Sequence, residues 1–176
     1  MEQLPASKLA RYIGIANFSP KQVDEVLEIA MIKPKVIQIE LHPYLPQQEF
    51  VTSLQKKGIT VNAYAPLGNT NPAYSNPRAT KLLEHQTIKQ IASKRSCTPA
   101  QVVLAWNMRR NVVVIPKAVL AEHHKENYGA RICQDKLTAE DDAKIMEISK
   151  PRAYRFFSTP CALLQYKCFE GTTRGH

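Results

Sequence analysis

Four short runs rich in Val, Ile and Tyr constrain this chain most: Arg11 to Ala16, Val36 to Glu40, Thr60 to Ala65, and Val112 to Ile115. Each is too short for a stable helix and has the composition of a strand. Helical patterns with clear start signals lie between them. Ser19-Pro20-Lys21-Gln22 supplies a hydroxyl N-cap, a proline at the first helical position and a glutamine at the third, the elements of a capping box. Val23, Val26, Leu27 and Ala30 then recur on one face. Thr98-Pro99-Ala100-Gln101 repeats the device ahead of Val102, Ala105 and Trp106, and Thr138-Ala139-Glu140-Asp141 opens a segment carrying Ile145 and Ile148. Phe50, Val51 and Leu54 mark another helix, closed by Lys56, Lys57 and Gly58, and Ile88, Ile91 and Ala92 mark one more. Strands alternating with helices through such connections are parallel with right-handed crossovers. The fold class is α/β, either a doubly wound sheet or part of a (β/α)8 barrel. No G-x-G-x-x-G follows any strand run, which argues against a Rossmann-type dinucleotide fold. The stretch from Gly68 to Arg78, rich in Asn, Pro and Ser, reads as an exposed loop.

A chain of 176 residues with 44% hydrophobic and 22% charged residues fits one globular domain. It contains no apolar run long enough for a membrane span. Its opening residues have neither the basic nor the apolar region of a secretory signal. Cys97, Cys133, Cys161 and Cys168 show no CxxC spacing. They read as reduced thiols of a cytoplasmic protein; a zinc site from Cys161, Cys168 and His176 is a poor alternative. The net charge of +9 suits a polyanion. Yet the Lys and Arg are scattered, without the aromatic interleaving of a nucleic-acid surface. A solvated basic surface with a local site for a phosphorylated small molecule is the expectation; nucleic acid and membrane partners are not.

Several polar residues fall at the carboxyl ends of the strand runs, where parallel α/β proteins bind ligands. Asn17 follows the first run and reads equally as an amide for a carbonyl or carboxamide and as a turn residue. Gln38 and Glu40 alternate with Ile37 and Ile39, so they share a face and need partners. His42 more often proves a satisfied loop histidine than a catalyst. Tyr64 offers an aromatic face for a flat heterocycle, against ordinary core packing. Lys117, after Val112 to Ile115, is a natural phosphate ligand. A polar helix start with His123, Lys125, Glu126 and Asn127 follows it. His123-His124 is not a metal motif, because adjacent helical positions do not converge.

Four collinear motifs together resemble the C-terminal half of an aldo-keto reductase, most similar to the short fungal type. They are Gly14-Ile15-Ala16-Asn17-Phe18, then Gln38-Ile39-Glu40-Leu41-His42-Pro43-Tyr44, then Ala63-Tyr64-Ala65-Pro66-Leu67-Gly68, and Ile115-Pro116-Lys117-Ala118 with Lys125-Glu126-Asn127. The resemblance implies a partial (β/α)8 TIM barrel, about the C-terminal four βα units, over residues 1–150. A tail bordering the substrate pocket would occupy 151–176. It implies an NADP-dependent oxidoreductase of aldehyde or ketone carbonyls. Asn17 and Gln38 would hold the nicotinamide carboxamide and Tyr64 would stack on the ring. Leu67, Gly68 and Asn69 would flank the pyrophosphate, Lys117 would pair with the 2′-phosphate, and Glu126 and Asn127 would meet adenine. Ala16, Ala118 and His123 depart from the family pattern, where serine, serine and arginine are usual; Ala118 and His123 still fall within the cofactor segment.

The Asp, Tyr, Lys and His that perform proton transfer in this family belong to the first four βα units and have no counterpart here. His42 matches a different family position. The expectation is therefore a cofactor-binding half with no catalytic residues of its own, working on a small carbonyl substrate if the full barrel exists. The alternative is a truncated, non-catalytic protein that binds nucleotide or a partner. Half a barrel also leaves free edges, so self-association is expected.

Overall fold

A computed structural model describes residue 3 and residues 9–69, 81–151, 153, 155 and 156. Each expected run forms a strand, trimmed at its ends: β1 (Gly14–Ala16), β2 (Val36–Glu40), β3 (Thr60–Tyr64) and β4 (Val112–Val114). All three pairings are parallel and the spatial order is β1-β2-β3-β4. A doubly wound sheet reverses its order at a switch point. This one does not, so of the two α/β alternatives the partial (β/α) barrel is the one formed.

Seven α-helices accompany the strands among the described residues: α1 (Pro20–Ile29), α2 (Gln48–Lys56), α3 (Gln86–Arg95), α4 (Pro99–Arg109), α5 (Ala121–Tyr128), α6 (Ala130–Lys136) and α7 (Ala139–Glu147). A 3₁₀ turn, Leu82–Glu84, precedes α3. Helices α1, α4 and α7 begin with the expected capping boxes, on Ser19 and Gln22, Thr98 and Gln101, and Thr138 and Asp141. Such a cap is worth about 1 kcal/mol and fixes where each helix starts. Helix α2 ends as its sequence suggests. Gly58 takes the left-handed conformation at φ 71°, its N–H donates to Gln55 O, and Ile59 N–H donates to Leu54 O. Those two bonds make a Schellman motif, and buried Ile59 and Leu54 give it its apolar contact. Part of the expected loop, residues 70–80, lies outside the described residues.

Strand alternation sorts the sheet into two unlike faces. Ile37, Ile39, Val61, Ala63 and Val112 are buried against Val23 of α1 and Val51 and Leu54 of α2. The opposite face carries Ala16, Gln38, Asn62 and Val113, which are Cα partners in one row across all four strands. A second core lies among α3, α4, α6 and α7, around Ile88, Val102, Trp106, Cys133 and Ile145. Arg110 braces the two regions. Its guanidinium lies 4.3 Å from the Trp106 ring centroid, and it donates to Pro46 O and to Gln48 Oε1. Burial pushes its pKa down to about 10, against the pull of Asp142.

The expectation of reduced thiols fails for two cysteines. Cys97 and Cys133 form a disulfide, with their Cα atoms 6.0 Å apart and a sequence separation of 36. Cys97 sits between α3 and α4, and Cys133 faces inward from α6. Helix packing brings the pair together, and no spacing motif records that. Cys161, Cys168 and His176 lie outside the described residues. Among the described residues, no group of three metal-ligating side chains occurs, and no helix is long and apolar enough to cross a membrane.

Candidate functional site

At the carboxyl ends of β1 to β3 the chain turns sharply, and polar side chains gather there. Asn17, directly after β1, adopts a left-handed backbone at φ 59°, a conformation asparagine tolerates better than most residues. Its N–H donates to Gln38 O at 3.0 Å, which pins the turn to β2. The Asn17 side chain hydrogen-bonds with the Tyr64 phenol. Its own Oδ1 is buried and has no hydrogen-bond partner among the described residues. After β3, Ala65 is also left-handed at φ 46°, and Gly68 N–H closes the following turn on Ala65 O at 2.9 Å. Alanine gains nothing locally from that backbone, and such strain concentrates at functional sites.

Tyr64 lies beside Glu40 in the register of β2 and β3. Burial, then the Glu40 carboxylate, push its phenol up to about 12, while hydrogen bonds from Arg155 and Asn17 pull the other way. At neutral pH the phenol therefore keeps its proton.

Glu40 and His42 are both fully buried. His42 Nε2 lies 2.9 Å from Glu40 Oε1. Burial holds the imidazole below its ordinary pKa, and the Glu40 partner only partly offsets that. A neutral ring then donates from Nε2 to the carboxylate. His42 is an interior histidine paired through Nε2, while its buried Nδ1 has no hydrogen-bond partner among the described residues. The segment after α7 returns to this point. Phe156 N–H donates to Glu40 Oε1 at 2.6 Å, and Arg155 Nη1 stands 3.6 Å from Glu40 Oε2. The Phe156 ring packs 4.9 Å from His42.

The structure thus brings Asn17, Gln38 and Tyr64 together. Leu67 and Gly68 belong to the turn beyond Tyr64 and Asn69 follows it, with Leu67 packed on the second core. Lys117, Ala118, His123, Glu126 and Asn127 make a separate group. Ile115 N–H donates to Ala63 O, extending the ladder past β4 and leading Lys117 out beyond the sheet. Lys117 and His123 are exposed, while Ala118, Glu126 and Asn127 are half-buried. Gln101 Nε2 donates to Glu126 O at 3.1 Å, docking α5 on α4.

Three residues of this region escaped the sequence reading. Asn62 shares the row of Gln38, and the period of β3 could have placed it there. Arg155 and Phe156 carry no local signal, because their partner is 116 residues from Phe156.

Comparison with known proteins agrees with this architecture. The chain is 39% identical to Aldo-keto reductase family 1 member A1 of Gallus gallus over 154 residues, 88% of this chain and 46% of the relative. It is 46% identical to an uncharacterized oxidoreductase of Schizosaccharomyces pombe over 121 residues, 68% of this chain and 37% of that protein. The human Aldo-keto reductase family 1 member A1 is 37% identical over 127 residues, 72% of this chain and 39% of the relative. The chain spans less than half the length of these curated relatives. The Aldo/keto reductase family model matches residues 1–150, and to that family this chain belongs.

Proposed function

We propose that this chain is the cofactor-binding half of an NADP-dependent oxidoreductase of aldehyde or ketone carbonyls. The observation that carries the reading is that the buried Asn17 Oδ1, beside Tyr64, has no hydrogen-bond partner among the described residues. A buried acceptor without a donor costs about 1–3 kcal/mol. The amide hydrogens of a nicotinamide carboxamide would satisfy it, and Gln38 on the adjacent strand offers both a donor and an acceptor for the rest of that group. Bound, the cofactor supplies a hydride to the carbonyl carbon.

The chain's own residues bind and orient. Tyr64 presents an aromatic face next to Asn17. The turn at Leu67, Gly68 and Asn69 flanks the pyrophosphate. Lys117, at the end of β4, meets the 2′-phosphate as a point charge. Ala118 and His123 border it, and Glu126 and Asn127 face adenine. Tyr64, its phenol pushed up to about 12 by burial and Glu40, keeps its proton at neutral pH and offers its ring as a surface. By the resemblance, the acid would come from an Asp, Tyr, Lys and His set without counterpart among these residues. That expectation also supports a second reading, in which the chain by itself binds nucleotide, or a partner, without turnover. Both readings expect this chain by itself to show no oxidation of NADPH with an aldehyde panel; robust turnover would mean that a proton donor lies within it. The cytoplasm is the compartment this function fits. The Cys97–Cys133 disulfide stands against that compartment, where glutathione keeps thiols reduced.

Fluorescence titration of NADPH and NADH tests cofactor choice. The expected result is tighter binding of NADPH, with the preference reduced about tenfold by Lys117→Ala. One charge-assisted contact contributes roughly 1.5–3 kcal/mol, and less at an exposed position. Equal affinity for the two dinucleotides, unchanged by the substitution, would remove Lys117 from the site.

A further inference from the structure

The segment after α7 meets the sheet at Glu40, and Glu40 stands next to Tyr64. The carboxylate ends β2 as the Cα partner of Tyr64. One oxygen accepts from Phe156 N–H at 2.6 Å and from His42 at 2.9 Å, and the other faces Arg155 at 3.6 Å. The Glu40 and Arg155 side chains are 0% and 7% exposed. Arg155 in turn hydrogen-bonds with the Tyr64 phenol. A buried guanidinium between a carboxylate and a hydroxyl has few alternatives, since any swing away leaves a buried charge unpaired. The Tyr64 ring is therefore tied at both ends: its backbone in β3, its hydroxyl by Arg155 and Asn17.

We propose that Glu40 and Arg155 are positioning residues that act through the Tyr64 hydroxyl, so that the segment after α7 sets the plane of the ring. The inference rests on the proposed stacking of the cofactor on Tyr64. A fixed ring plane prepays the ordering that stacking would otherwise demand of a freely rotating side chain. A merely structural role for Glu40 and Arg155 would hold the segment in place and leave the ring indifferent to them.

Two readouts on the full chain test it. In ¹³C-tyrosine spectra of nucleotide-free protein, Tyr64 is assigned by the signal lost in Tyr64→Phe. Its Cε signal is expected to shift in Arg155→Met and in Glu40→Gln. In NADPH titrations, Arg155→Met is expected to weaken binding roughly threefold to tenfold, but less than about twofold when Tyr64→Phe is already present, since coupled neighbours are non-additive. An equal loss in both backgrounds, or an unmoved Tyr64 signal, overturns the proposal. Should Arg155→Met fail to fold, Arg155→Lys, which keeps the charge without the planar fork, is read in the same way. A shifted ring signal in a chain whose wild type binds no NADPH would support the positioning role and sink the proposed function instead.

Discussion

Two glycines at nearly the same backbone angle separate strain from contact. Gly58 has φ 71° with open space where a Cβ would go; Gly68 has φ 74°, and a Cβ there would lie 3.1 Å from Phe156 Cε2 and 3.3 Å from Leu82 Cβ. Both substitutions to alanine force an L residue into the left-handed region, at about 1–2 kcal/mol. Only Gly68→Ala also pushes on the ring that packs against His42. Chemical denaturation is expected to show Gly58→Ala costing about 1 kcal/mol and Gly68→Ala costing about 1 kcal/mol more. Equal losses would mean that Phe156 yields freely and does not pack on the turn after β3. The same residues show what the sequence could disclose. Asn17 and Tyr64 sit at strand ends, Gln38 lies in the middle of β2, and all three fall in motifs, so they were legible. Arg155 and Phe156 matter through a carboxylate far away in sequence, and only folding brings them to it.

Helix starts were legible because capping is local: Ser19, Thr98 and Thr138 each satisfy a backbone donor three residues on. Helix α6 went unread for the converse reason. It begins at Ala130, directly after α5, with Gly129 at the N-cap and no side-chain cap, and its buried residues are only Ala130 and Cys133. Its place is set by packing on α4 and by the bond from Cys133 to Cys97. That bond carries the prediction for this scale. Closing a loop over a separation of 36 residues restricts the unfolded chain by roughly 3–4 kcal/mol in the chain-entropy view. Dithiothreitol is expected to lower the Tm of the wild type by several degrees and to leave Cys133→Ser unchanged. An insensitive wild type, or a full complement of titratable thiols before reduction, would remove the disulfide. A Cys97 and Cys133 pair held reduced would then only pack side by side.

For the whole molecule, the decisive fact is that the described sheet is open. Strands β1 and β4 each have one unpaired side, since the order β1-β2-β3-β4 gives them a single neighbour. The face away from α1 and α2 is largely polar, with Gln38 and Asn62 at its centre, so apolar burial across that face is a weak drive to association. The β4 edge differs: Val113 is 47% exposed in a strand of three valines without a charge, and Ile115 just beyond it is 42% exposed. Unpaired, apolar strand edges template pairing with another chain, and charged residues are what natural edges use against it. Eight strands close a barrel of this type, and two four-stranded sheets supply eight. The 176-residue chain purified by itself is therefore expected to self-associate through β4 and its neighbours. Size-exclusion chromatography with light scattering should give a mass above 19.9 kDa that rises with concentration. Val113→Lys, which puts a charge on the edge in the row of Asn62, should shift the population toward monomer without lowering helix content. A monodisperse wild-type monomer with a sharp thermal transition would sink the prediction, because it would require both edges to be covered within one chain.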